Sequence, residues 1–245
     1  MKKGYTHITV VLDKSGSMSS CLNDTIGGFN QFLKTQKEIE GEATVTLVQF
    51  NGNYDLAIDM SPLSNTDDLS KENYRPNGST ALLDAIGRTI NRVEHQIEEK
   101  NGAQKPEKTI FVIITDGEEN ASREFTRDQI MQMINDHRTE MSWEFIFIGA
   151  NQDAIQAGNS LGVRQGSSLN YTASSVGTQA MYSSLTRGMT SYRSKGVDEI
   201  KCASYSFFDA KDVVNKKEEF LKNPKGPLQN MYVDTRTSET DKDTK

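Results

Sequence analysis

The sequence predicts a doubly wound α/β fold: a mostly parallel sheet with one antiparallel edge strand and helices on both faces. Apolar, β-branched runs alternate with segments whose apolar residues recur every three or four positions, the order that builds parallel strands with crossover helices. The run Thr109 to Thr115 is apolar without alternation, as a strand covered on both faces must be. Asn51-Gly52 separates two strand-like runs, the strongest short-range hairpin signal, so one strand returns antiparallel at an edge.

Tyr5 to Leu12 is the first strand, and Leu22, Ile26, Phe29, Phe32 and Leu33 set the inner face of a helix within Leu22 to Ile39. Ala43 to Phe50 is a strand, and Tyr54 to Met60 is its hairpin partner. Ser61 to Tyr74 reads as a polar loop containing Asp67 and Asp68, and Pro76-Asn77-Gly78-Ser79-Thr80 as a turn cluster. Ala81 opens a helix to about Glu99, with Leu82, Leu83, Ile86, Ile90, Val93 and Ile97 on its apolar face. After Thr109 to Thr115 comes the polar loop Asp116-Gly117-Glu118-Glu119-Asn120. Thr126 caps a helix through Arg138, with Ile130, Met133 and Ile134 inside. Trp143 to Ile148 is a buried strand, Asp153 to Leu161 a short helix, and Ser168 to Thr172 a last short strand. Ser174 to Arg193 reads as a helix with Val176, Ala180, Met181, Leu185 and Met189 inside.

Beyond Lys195 the pattern weakens. Cys202 to Phe208 is read as a strand and Asp212 to Leu221 as a charged helix, while Thr235 to Lys245 is almost wholly polar and expected to be disordered. The expected division is a domain over residues 1–195 and an extension over 196–245, partly helical and then disordered.

Composition narrows the function. At 245 residues, 35% hydrophobic and 25% charged, the chain has enough apolar residues for a core plus a polar appendage. A net charge of −6 without a basic tract argues against nucleic acid or an anionic membrane as partner. No apolar run approaches a membrane span. Cys21 and Cys202 have no Cys or His at zinc spacing and are read as reduced thiols. With no apolar signal core after Met1, the expected location is the cytoplasm. The glycosylation-type triplets at Asn77, Asn120 and Asn170 are then chance matches.

The chemistry concentrates where the first strand ends. Asp13-Lys14-Ser15-Gly16-Ser17 offers oxygen side chains on alternate residues, and Gly16 lets the backbone bend tightly. Hydroxyls with few carboxylates suit Mg²⁺ or Mn²⁺ better than zinc. In doubly wound sheets ligands bind beyond the carboxyl ends of the strands. Asp116 follows a second strand and Thr80 sits in a turn before a helix, so Asp13, Ser15, Ser17, Thr80 and Asp116 can converge from three loops. Ser15 and Ser17 equally suit a plain turn, and Thr80 a helix N-cap. Glu118, Glu119 and Asn120 are read as a solvated rim, and His7, His95 and His137 as structural or exposed. Trp143 is placed in or near the core.

Three stretches, Asp13-Lys14-Ser15-Gly16-Ser17-Met18, Tyr74-Arg75-Pro76-Asn77-Gly78-Ser79-Thr80-Ala81-Leu82 and Thr115-Asp116-Gly117, give the chain its likeness to a known family. Over roughly residues 5 to 193 it resembles the von Willebrand factor type A (vWA) family, of the intracellular microbial or phage kind, with a metal-ion-dependent adhesion site on a vWA/Rossmann-like fold. The resemblance implies Mg²⁺, with Mn²⁺ as the other candidate, held by Ser15, Ser17 and Thr80 directly and by Asp13 and Asp116 directly or through water. It also implies a protein partner that presents a Glu or Asp to the ion.

The function expected from this is a non-catalytic, metal-dependent protein-binding module. One rival is a metal-dependent hydrolase or phosphatase. Against it, the Asp-x-Asp of dehalogenase-type phosphatases is Asp13-Lys14-Ser15 here, and neither a P-loop nor a G-x-S-x-G elbow occurs. A third reading is an adaptor for an AAA+ or stress-response complex, which rests on analogy.

Overall fold

The computed structural model describes residues 1–150, 154–202 and 205–209. One sheet holds β1 (Lys2–Asp13), β2 (Ala43–Phe50), β3 (Tyr54–Pro62), β4 (Pro106–Thr115), β5 (Glu144–Ala150) and β6 (Ser168–Tyr171). Their order is β3-β2-β1-β4-β5-β6, and every neighbour pair is parallel except β2 with β3. The helices are α1 (Leu22–Lys37), α2 (Leu82–Glu98), α3 (Arg127–Glu140), α4 (Ala154–Ser160), α5 (Ser175–Ser194) and α6 (Val197–Lys201). The doubly wound fold expected from the sequence is the fold observed.

Strand alternation divides the core into two layers. Ile8, Val10 and Leu12 of β1 with Ile110, Val112 and Ile114 of β4 pack on Phe29, Phe32 and Leu33 of α1 and on Met181, Leu185 and Met189 of α5. Val11, Phe111, Ile113, Phe145 and Phe147 face the other way, onto Ile86, Ile90 and Val93 of α2 and Ile130 and Ile134 of α3. Trp143 is 5% exposed and stacks on Phe111 at 5.3 Å. Burying each such side chain stabilises by about 1.5–3 kcal/mol, so both layers need their helices. α3 starts as expected: Thr126 accepts from Gln129 N–H, and the Gln129 side chain returns to Thr126 N–H at 2.8 Å.

His7 is fully buried in β1, with Nδ1 2.8 Å from Thr44 Oγ1 and Nε2 3.3 Å from Thr46 Oγ1. Burial first, and the charge of Lys100 second, lower its pKa to about 3. His95 is exposed at the end of α2, while His137 bonds Met133 O at 2.7 Å and lies against Trp143.

The structure corrects three expectations. Val176 is 70% exposed and Ala180 is also exposed; the inner face of α5 runs through Thr178, Met181, Tyr182, Leu185, Met189 and Tyr192. At 3.6 residues per turn Val176 lies about 180° from Leu185, so its apolarity cannot place it inside. Residues 205–209 form no strand: Phe207 and Phe208 are both buried in one core layer, which successive strand residues pointing to opposite faces could not manage, and both N–H groups reach Gly166 O at 3.1 Å. Between them and α5 comes the short helix α6, which the sequence pattern did not reveal. The helix expected over Asp212 to Leu221 and the disorder expected over Thr235 to Lys245 lie outside the described residues.

Candidate metal centre

The strand order reverses between β1 and β4: the chain moves from β1 outward to β2 and β3, then returns to β4 on the other side. Such a switch point opens a crevice at the carboxyl ends of the two strands. β1 ends there at Asp13 and β4 at Thr115, so both motif loops leave the sheet side by side.

Asp13 is fully buried, and both carboxyl oxygens are engaged. Oδ1 accepts Ser15 N–H at 2.6 Å, and Oδ2 accepts the Thr115 hydroxyl at 2.6 Å. Its carbonyl takes the hydroxyl of the fully buried Tyr74 at 2.6 Å. Asp13 therefore shapes the loop from beneath. Gly16 to Cys21 turn as a 3₁₀ helix that buries Met18 and Cys21 and turns the serines toward the crevice.

The hydroxyls meet over Gly117. Ser15 Oγ lies 3.1 Å from Ser17 Oγ, and Ser17 Oγ donates to Asp116 Oδ1 at 2.5 Å. A methyl group added at Gly117 would sit 3.1 Å from Thr80 Oγ1, 3.6 Å from Ser17 Oγ and 3.7 Å from Ser15 Oγ. The lack of a side chain at Gly117 leaves a cradle rimmed by three hydroxyls from two loops. All five residues singled out in the sequence are thus brought to one edge, with Asp13 the deepest.

The helix-cap alternative for Thr80 does not hold. Ala81 occupies the N-cap position of α2, and no side chain caps from there. The open N–H groups of the first turn are met from the loop after β4: Leu83 N–H reaches Glu119 Oε2 at 2.9 Å, and Asp84 N–H reaches Ser122 Oγ at 3.1 Å. Asn120 Oδ1 accepts Thr80 N–H at 2.9 Å, and Asn120 N–H donates to Thr80 O at 3.0 Å. Thr80 is 3% exposed, and its hydroxyl has no hydrogen-bond partner among the described residues. Glu119 is half-buried and acts as a clamp, while Asn120 lies on the exposed rim, as the sequence suggested and as Glu118 does, yet still holds Thr80. No spacing signal marks them, because their role depends on which loops meet in space.

The electrostatics favour a cation. Burial, and then the charge of Asp13, push Asp116 up to about 6 against the opposing Ser17 hydrogen bond. Burial also raises Asp13 despite its bonds to Thr115 and Ser15. Two carboxyls held above their ordinary range beside neutral hydroxyls would return to the ionised form next to a divalent ion. The donor set is all oxygen, as hard cations require. A Thr80 hydroxyl without a protein partner, an open cradle and the carboxyl pair together fit such an ion.

The profile of the von Willebrand factor type A domain matches residues 7–186. The chain belongs to the von Willebrand factor type A domain family. No curated protein matches this vWA chain in sequence. Among solved structures, it is similar to proximal thread matrix protein 1 from the mussel byssus with a zinc-occupied MIDAS motif, at 17% identity and TM-score 0.54, covering 73% of this chain and 46% of that one. It is similar to the PilB minor pilin of Streptococcus sanguinis at 13% identity and TM-score 0.56, covering 78% and 64%. The pilus adhesin SpaC of Lactobacillus rhamnosus GG aligns at 12% identity and TM-score 0.58, covering 78% and 31%. At such identities the likeness is one of fold. The vWA chain spans about half the length of the mussel protein and under two thirds of the pilin.

Proposed function

We propose that this vWA domain is a non-catalytic, metal-dependent protein-binding module. In this reading Ser15, Ser17 and Thr80 hold Mg²⁺, or Mn²⁺, through their hydroxyl oxygens. Asp116 and Asp13 act directly or through water, and Asp13 also fixes the loop. A bound dication supplies an electropositive point for an Asp or Glu side chain of a protein partner, because neutral hydroxyl ligands leave most of its charge uncompensated. The observation that carries this is the convergence of three hydroxyls over Gly117, with the Thr80 hydroxyl unpartnered.

The zinc-occupied motif of the mussel protein supports a divalent ion on this fold. The histidines support binding over catalysis: His7 is locked between threonines, His137 lies on α3 against Trp143, and His95 is on the last turn of α2. A partner other than nucleic acid agrees with the net charge of −6. No helix among the described residues is long and apolar enough to cross a membrane. We propose a cytoplasmic location, in line with the buried Cys21, which forms no disulfide.

The test is a pull-down from native lysate in Mg²⁺ against EDTA, with Asp13→Ala as control. A protein captured only with metal, and lost with Asp13→Ala, is the expected result. Capture indifferent to chelator would contradict the reading, as would turnover of phosphate esters by the purified chain.

A further inference from the structure

We infer that Asn51, outside the ligand set, is a positioning residue that couples the Asp13–Ser17 loop to Thr80 and so sets metal affinity. The inference rests on the metal reading above. Asn51 follows Phe50, the last residue of β2, whose carbonyl accepts Lys14 N–H at 2.7 Å. It is 3% exposed, and all its polar groups are engaged.

Two of its bonds belong to the hairpin. Asn51 N–H reaches Asn53 O at 3.0 Å, and Oδ1 accepts Asn53 N–H at 2.8 Å. A short turn needs no more than these from an Asn. The remaining groups face the site loops. The Asn51 carbonyl accepts Ala81 N–H at 2.9 Å, one residue beyond Thr80. Nδ2 donates to Asn77 O and to Asn77 Oδ1, both at 2.9 Å.

Asn77 N–H in turn donates to Lys14 O at 2.8 Å, and Gly16 N–H to Gly78 O at 3.1 Å. One buried amide therefore ties together the loop carrying Ser15 and Ser17 and the loop carrying Thr80. The Thr80 hydroxyl makes no bond of its own, so its position depends on these backbone ties and on Asn120 opposite. Groups that orient metal ligands from behind are typically worth about 10–100-fold in affinity.

The test uses the full chain with Mn²⁺ as probe, by calorimetric titration and by electron paramagnetic resonance of the bound ion. Asn51→Ala is expected to weaken Mn²⁺ binding about 10–100-fold and to change the bound-ion spectrum. Asn51→Asp keeps the acceptor for Asn53 N–H, loses the Nδ2 donor and adds negative charge. Electrostatics alone would tighten its hold on a cation, whereas loss of positioning loosens it, and loosening is expected. Should Asn51→Ala fail to fold, the Asp variant carries the test. Wild-type affinity in both, tighter binding in Asn51→Asp, or weaker binding with an unchanged spectrum would overturn the inference. A wild-type chain that binds no Mn²⁺ would instead overturn the metal reading beneath it.

Discussion

Lys108 and Thr80 are both buried polar residues, set at opposite ends of the sheet, and their surroundings differ in kind. Near the start of β4 the Lys108 ammonium is 5% exposed and donates to the carbonyls of Tyr192, Arg193 and Lys195 at 3.1, 2.7 and 2.7 Å. It closes the last turn of α5, whose carbonyls would otherwise lack donors. Arg193 beside it donates to Gln36 O at 2.6 Å and Gly41 O at 3.1 Å, fastening α5 to the end of α1. At the other end the serines face each other, and the Thr80 hydroxyl shares their cradle over Gly117 with no hydrogen-bond partner among the described residues. Burial of polarity is common to both ends. At one end the cations are matched to carbonyls, although Gln36 Nε2 beside them has no partner; at the other, hydroxyls ring a cradle, and that end is where the chain has room for a ligand.

That contrast predicts different consequences for substitutions at the two ends. Lys108→Met strands three buried carbonyls and is expected to cost about 2–4 kcal/mol in urea denaturation, with the metal affinity of the folded fraction unchanged. Unaltered stability would show that the ammonium is not needed where it lies.

A second loss follows from pH. The folded chain holds His7 at about 3, while its ordinary value is 6.5. Below 6.5 the unfolded chain therefore takes up a proton that the folded chain refuses. Its contribution to stability is whole above 6.5 and lost as pH falls toward 3, at up to about 1.4 kcal/mol per pH unit. His7→Asn should flatten that slope between pH 6.5 and 4.5; an identical slope would mean that His7 is protonated in place.

Next comes the contact between α1 and α5. A methyl group at Gly28 would lie 2.2 Å from the Tyr182 ring, so Gly28→Ala is expected to cost about 1–3 kcal/mol by overpacking. The smallest effect on stability belongs to Thr80→Ala, within about 0.5 kcal/mol, because the hydroxyl bonds nothing in the protein. Melting curves of the metal-free chain check both.

The fold was legible because its strands are buried. Thr109 to Thr115 admits no helix of that length and no exposed face, and Asn51-Gly52 dictated the antiparallel edge. Side-chain direction was less legible: Val176 is apolar yet faces solvent, since the face of α5 is set by Tyr182 and Tyr192, whose polar tips disguised them as outer residues. Phe207 and Phe208 read as strand because aromatic residues favour sheets, but tertiary packing against Gly166 won. At the site, the hydroxyl-bearing residues could be found from type and spacing. Asn51, Glu119 and Asn120 could not, because each acts across a gap in sequence that only the fold closes.

The central claim is that the oxygens over Gly117 bind a divalent cation, and calorimetric titration of Mg²⁺ into the wild-type chain and Thr80→Ala tests it most directly. The account predicts one site per chain in the wild type and its loss, or at least a tenfold weakening (about 1.4 kcal/mol), in a Thr80→Ala protein of unchanged melting temperature. Equal binding by the two proteins, or no binding by either, would contradict it.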